Sequence, residues 1–184
     1  KIAVLDLAAW VQEYNVPGLG RQGAIHEDLT HIKLEGRDTP HAPIRMLFDE
    51  EVTRPQRGTG ILGLISAAEN GFGVTGIAPE ADTYFFPLVD ADLGFREVNA
   101  WLNAIDTLQY GDILLATYLH DYGHTQCVDS CLINDASAQV LMGLASDTGI
   151  KIVTPAGDWG CDIGATFDAG LEETRCASIA TAPA

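Results

Sequence analysis

The chain has 184 residues, 47% of them hydrophobic and 20% charged, which is enough for one sizeable core and short for two. Ten Lys and Arg against 26 Asp and Glu leave a formal net charge of −16, and so acidic a surface excludes a phosphate-backbone partner. No apolar run approaches the ~20 residues of a bilayer span, and Lys1 opens directly on a strand-like segment without signal-peptide features. Nucleic acid and membrane are therefore not expected as partners.

Ile2–Leu7 (IAVLDL) is a short, β-branched apolar run ending in an acid, the pattern of a buried parallel strand with Asp6 at its carboxyl end. From Trp10 to Pro43 periodicity disappears and turn formers accumulate, which predicts a long surface excursion. Ile44–Phe48 is a second candidate strand, and Gly58–Asn70 (GTGILGLISAAEN) a helix with small residues that is expected to be buried nearly all round. Asp82–Leu88 reads as a strand, Phe95–Leu108 as a helix with Val98, Leu102, Ile105 and Leu108 on one face, and Asp112–Tyr118 as another strand. Asn134–Thr148 is helical, with Ala138, Leu141, Met142 and Ala145 in register, and Lys151–Pro155 is a strand after Gly149. Strands alternating with helices predict an α/β fold of three layers, a mostly parallel sheet with right-handed crossovers and helices on both faces. Ligands of such sheets gather at the carboxyl ends of strands, here Asp6, Tyr118 and the Pro155–Asp158 segment.

Gly71, Gly73 and Gly76 satisfy G-x-G-x-x-G, but a dinucleotide site needs a strand before the glycines and a helix after them. Here the order is reversed, so these residues read as a glycine-rich turn feeding the Asp82 strand. Four cysteines, Cys127, Cys131, Cys161 and Cys176, form two close pairs. An even count suits an oxidising, secreted or extracellular setting, and of the three connectivities the two local pairings are favoured; four reduced thiols are the alternative. His120, His124, Cys127 and Cys131 offer zinc-type ligands, but their spacing matches no standard finger, and a local disulfide with solvated histidines uses the same residues.

These segments together resemble a subtilisin-like serine protease, the subtilase or peptidase S8 family, over most of the chain. IAVLDL resembles the strand ending in the family's catalytic aspartate, and HEDL at His26–Leu29 its HPDL segment. Arg57–Leu88 (RGTGILGLISAAENGFGVTGIAPEADTYFFPL) resembles the HGTHVAG helix with its glycine turn, VAP corner and strand. Asp112–Leu119 takes the place of the substrate-binding strand, Gly149–Gly160 (GIKIVTPAGDWG) resembles the strand ending in AAGN-x-G, and Ala177–Pro183 (ASIATAP) the strand after it. The resemblance implies one partial subtilisin-like domain over 1–184, with Asp6 at the aspartate position and Thr117, Tyr118, Ala156 and Gly157 at substrate-binding positions.

The departures fall on catalysis. Arg57 stands at the histidine position, and a guanidinium keeps its protons near neutrality and cannot serve as general base. Asp158 stands at the oxyanion asparagine position, where a carboxylate accepts and repels instead of donating. The family's serine-bearing segment lies beyond the final strand matched here, and the segment before the first strand is also absent, so further protein is expected to cover the cut edges. The expectation is a subtilisin-like domain without proteolytic activity that serves binding or assembly; the alternative is a serine endopeptidase completed by another chain. Arg57 reads either as a structural ion pair with Asp6 or as a clamp for a carboxylate or anion. Asp158 reads as a turn acceptor or a ligand group. The resemblance also implies a calcium loop with Asn70 and the carbonyls of Phe72 and Val74, but a ligand is missing with the N-terminal segment, so no cofactor is expected and structural calcium stays the open alternative.

Overall fold

The computed structural model describes residues 1–11, 14–16, 20–22, 25–34, 55–90, 94–118 and 136–155. In chain order the elements are β1 (Ile2–Asp6), β2 (Tyr14–Val16), β3 (Gly20–Gln22), a 3-10 turn (Glu27–Leu29), β4 (Lys33–Leu34), α1 (Pro55–Ser66), β5 (Thr83–Pro87), β6 (Val89–Asp90), β7 (Gly94–Phe95), α2 (Glu97–Thr107), β8 (Ile113–Ala116), α3 (Ala136–Asp147) and β9 (Lys151–Val153). Five strands form one parallel sheet in the order β4-β5-β1-β8-β9, while β2 with β3 and β6 with β7 make small antiparallel pairs. The chain is thus an α/β protein with a parallel main sheet.

β1 is central and buried on both faces, which its unbroken apolar run foretold. Its register, Ala3↔Tyr84 and Leu114, Val4↔Phe85 and Leu115, Leu5↔Phe86 and Ala116, sends alternate rows to opposite sides. Ala3, Leu5, Tyr84, Phe86, Leu114 and Ala116 pack under α2 and α3; Val4 and Phe85 pack under α1 and the 3-10 turn, through Leu62 and Leu29. Helices therefore cover both faces, making three layers.

The expected uniform hand of the crossovers does not hold. The units β4-α1-β5, β5-α2-β8 and β8-α3-β9 all step the same way across the sheet, yet α1 lies on the opposite face from α2 and α3. The α1 unit thus has the opposite hand to the other two. Crossovers are right-handed in about 98% of cases, which makes the α1 unit the left-handed one. With α2 and α3 on one face, α1 and the 3-10 turn bury Val4 and Phe85 on the other.

Three local expectations are also corrected. The stretch read as a featureless excursion contains β2, β3, the 3-10 turn and β4, and the two-residue β4 belongs to the main sheet. Lys33 holds it there through Asp82, at 2.7 Å, and the Tyr84 hydroxyl, at 3.3 Å, so a strand too short for any periodicity is tied by side chains. α2 buries Ala100, Trp101 and Ala104; of the expected face, Leu108 is buried and Ile105 packs against the core, while Val98 and Leu102 are 46% and 43% exposed. Small residues let the helix approach the sheet closely, and the indole fills the remaining depth. α1 is not buried all round: Pro55, Gly58, Leu62 and Ser66 face inward, and Leu64 is 71% exposed. In α3 the expected Ala138, Leu141 and Ala145 are buried. The candidate strands at 44–48 and 177–183 lie outside the described residues.

Glycines set how α1 seats. A Cβ at Gly58 would stand 2.2 Å from the Ala8 carbonyl oxygen, whereas one at Gly60 would meet nothing within 4 Å. Gly58→Ala is expected to destabilise by roughly 1–3 kcal/mol through forced displacement of backbone. Gly60→Ala should stabilise by about 0.5–1 kcal/mol by restricting the unfolded chain and favouring helix. Chemical denaturation of the two variants checks both signs.

Candidate functional site

Between β1 and β8 the sheet has its topological switch point: the chain leaves β1 toward β4 on one side and leaves β8 toward β9 on the other. In open α/β sheets ligands gather in the crevice at the carboxyl ends of the strands at such a point. Three of the residues singled out in the sequence meet at it, Asp6, Arg57 and Thr117.

Asp6 ends β1 and is 1% exposed. Its Oδ1 accepts the Leu7 N–H at 2.7 Å and its Oδ2 accepts the Thr117 hydroxyl at 2.5 Å. This side chain changes the ladder. Thr117 N–H still donates to the Leu5 carbonyl at 3.0 Å, and in a continued parallel ladder the next rung would run from Leu7 N–H to the Thr117 carbonyl. Asp6 has diverted that N–H, so the Thr117 carbonyl loses its strand partner. Arg57 replaces it: Nη2 donates to the Thr117 oxygen, while Nη1 lies 3.9 Å from Asp6 Oδ1. Arg57 sits in the first turn of α1, one residue before the glycine pressed against Ala8, and is 42% exposed.

An ion pair with one partner open to water differs from a fully buried pair. Asp6 already has two donors, so Arg57 contributes of the order of 1 kcal/mol or less after solvent screening, not the several expected for a buried pair.

Tyr118, on the strand taken for substrate binding, turns its side chain into the core. Its ring is 1% exposed in the core beneath α2. The hydroxyl accepts the Trp101 indole N–H at 2.7 Å and donates to Glu97 Oε1. Glu97 opens α2, where the positive end of the helix favours a carboxylate. This buried triplet was missed in the sequence because its members are 4, 17 and 21 residues apart, with only the Glu97–Trp101 pair at helical spacing. Tyr118→Phe removes the indole's acceptor and one donor to Glu97, and should cost about 1–3 kcal/mol, read as a lowered melting temperature with altered Trp101 emission.

The loop proposed for calcium is organised around one carboxylate. Asp28, in the 3-10 turn and 1% exposed, accepts Asn70 Nδ2 at 2.8 Å on Oδ1 and Val74 N–H at 3.1 Å on Oδ2. Asn70 Oδ1 in turn accepts the Phe72 N–H at 3.3 Å. Gly71 and Gly73 take φ of +88° and +68°, and a Cβ at Gly73 would stand 2.3 Å from Asp28 Oδ2, so the turn needs glycine to wrap the carboxylate. Donors converge on both oxygens, and among the described residues no three His, Cys, Asp or Glu gather as a metal site. Of the expected calcium ligands, the Asn70 side-chain oxygen is turned to the Phe72 N–H. HEDL carried Asp28 in plain view, but its partners lie over 40 residues away.

The Val74 N–H, followed by the Asn70 amide, holds the Asp28 carboxyl below its ordinary range. A depressed folded pKa contributes stability that is full above the unfolded value and lost as pH falls through the folded one. Wild type is therefore expected to exceed Asp28→Asn in melting temperature at neutral pH, with the gap closing below about pH 4; paired melts across pH 2–7 check it.

Asp158, Ala156 and Gly157, all four cysteines, and His120 and His124 lie outside the described residues. Among the described residues no helix is long and apolar enough to cross a membrane. The chain matches no protein-family model and no curated protein.

Proposed function

We propose that this chain is a subtilisin-like (peptidase S8) domain without proteolytic activity, secreted, and used to bind or assemble with protein or peptide. Support comes from how residues distant in sequence meet. Asp6 closes the central strand, the helix carrying Arg57-Gly58 packs against the following loop, a glycine turn leads into β5, and Thr117 closes β8 beside Asp6. That is the order in which the family resemblance needs the aspartate, the histidine helix and the substrate-binding strand.

The observation that carries the inactive reading is Arg57 beside Asp6. In the serine-protease arrangement the aspartate orients a neutral imidazole that takes the nucleophile's proton. A guanidinium in its stead has no free lone pair and no accessible pKa, so it can hold the aspartate's negative charge but cannot accept a proton. A serine brought in by another polypeptide would still lack a base.

The purified chain should hydrolyse no peptide or ester substrate and take no label from a serine-directed phosphonate. Arg57→His alone should restore nothing measurable, because triad members act as a unit. Hydrolysis that copurifies with the chain and vanishes in Asp6→Ala would overturn the proposal in favour of an endopeptidase.

A further inference from the structure

The acceptors at the switch-point crevice are arranged for a planar cation. The Thr117 carbonyl has lost its strand donor to the Asp6 side chain, and Asp6 Oδ1 faces the same space. One guanidinium spans both, giving Nη2 to the carbonyl and turning Nη1 toward the carboxylate. An ammonium is a single point of charge and reaches one of them well, whereas the flat fork of a guanidinium reaches two acceptors with separate nitrogens. The Arg57 side chain enters from α1 and remains 42% exposed, so its outer side borders water and not packed protein.

We propose that the crevice at the ends of β1 and β8 is a guanidinium-binding site that the chain fills with its own Arg57, as a tethered ligand. The consequence is that the site is closed to other occupants. A peptide N–H arriving at the crevice finds the Thr117 carbonyl engaged and must displace a side chain whose local concentration is very high. The free ligand class that matches the site is an arginine side chain or alkylguanidinium, and it gains entry only when Arg57 is withdrawn. The proposal rests on the geometry of Asp6, Arg57 and Thr117 and not on the family reading, so a protease assay of either outcome leaves it standing.

Ethylguanidinium is the probe, at about 20 mM, far below denaturing concentrations of guanidinium salts, with methylammonium and potassium chloride at equal ionic strength as controls. Arg57→Ala is expected to melt a few degrees below wild type, to regain at least half of that loss in ethylguanidinium, and to regain none in methylammonium. Wild type should not respond, because its site is filled, and the double variant Asp6→Asn/Arg57→Ala should lose the response. If Arg57→Ala does not fold alone, the same comparison is read as refolding yield. Equal effects of ethylguanidinium and methylammonium, an equal response of wild type, or a response that survives Asp6→Asn would each overturn the proposal.

Discussion

The hydrogen bond from Leu7 N–H to the Asp6 carboxylate determines the upper end of this molecule. Without it the parallel ladder between β1 and β8 would run on by one rung. With it, β1 stops, the Thr117 carbonyl turns free, and a crevice appears between two strands whose chains depart in opposite directions. A carboxylate with 1% exposure cannot go unpartnered, so the end of β8 must supply the Thr117 hydroxyl. The first turn of α1 must come near enough to supply Arg57. That approach is why residue 58 has no side chain, since the helix start lies on the Ala8 carbonyl.

The second organising carboxylate works on the same principle at the other end of α1. Asp28 gathers two donors from the turn at 70–74, and its own carbonyl accepts the Ala68 N–H at 2.9 Å. One short 3-10 turn thereby fixes the exit of α1 and the entry to β5. The left-handed passage through α1 is held at both ends: at its start by Asp6 with Gly58 on Ala8, and at its finish by Asp28 with the positive-φ glycines. Strand twist disfavours this hand. The donors that the turn after α1 gives to the buried Asp28, with Gly58 seated on the Ala8 carbonyl, offset that preference, because another placement would leave the Asp28 charge unpaired.

Much of this was legible from the chain. The central strand announced itself because burial on both faces needs an unbroken apolar run, and the glycine turn because positive φ at Gly71 and Gly73 excludes most other residues. Arg57 and Asp6 were legible as neighbours only through the family resemblance, since 51 positions separate them and no local pattern links them. The inward face of α2 was legible in part: Ile105 and Leu108 reach the core, and Val98 and Leu102 do not. Val98 and Leu102 outrank alanine in hydrophobicity, but closeness of approach decided the packing, and Ala100, Ala104 and one large indole fit the sheet better. β4 was illegible because two residues carry no period, and the Lys33–Asp82 pair that holds it is an interaction between distant segments.

The magnitudes separate what Arg57 does for the fold from what it does at the crevice. Asp6 is already met by a backbone N–H and a hydroxyl, and a half-exposed guanidinium at 3.9 Å adds of the order of 1 kcal/mol or less. A fold stabilised by some 5–15 kcal/mol does not depend on that increment. Occupancy is another matter, because the guanidinium takes the acceptor that an incoming backbone N–H would need. Arg57 therefore contributes little to whether the chain folds and more to what its crevice can admit: it lies beside the buried carboxylate and takes the carbonyl that Asp6 left without a strand partner.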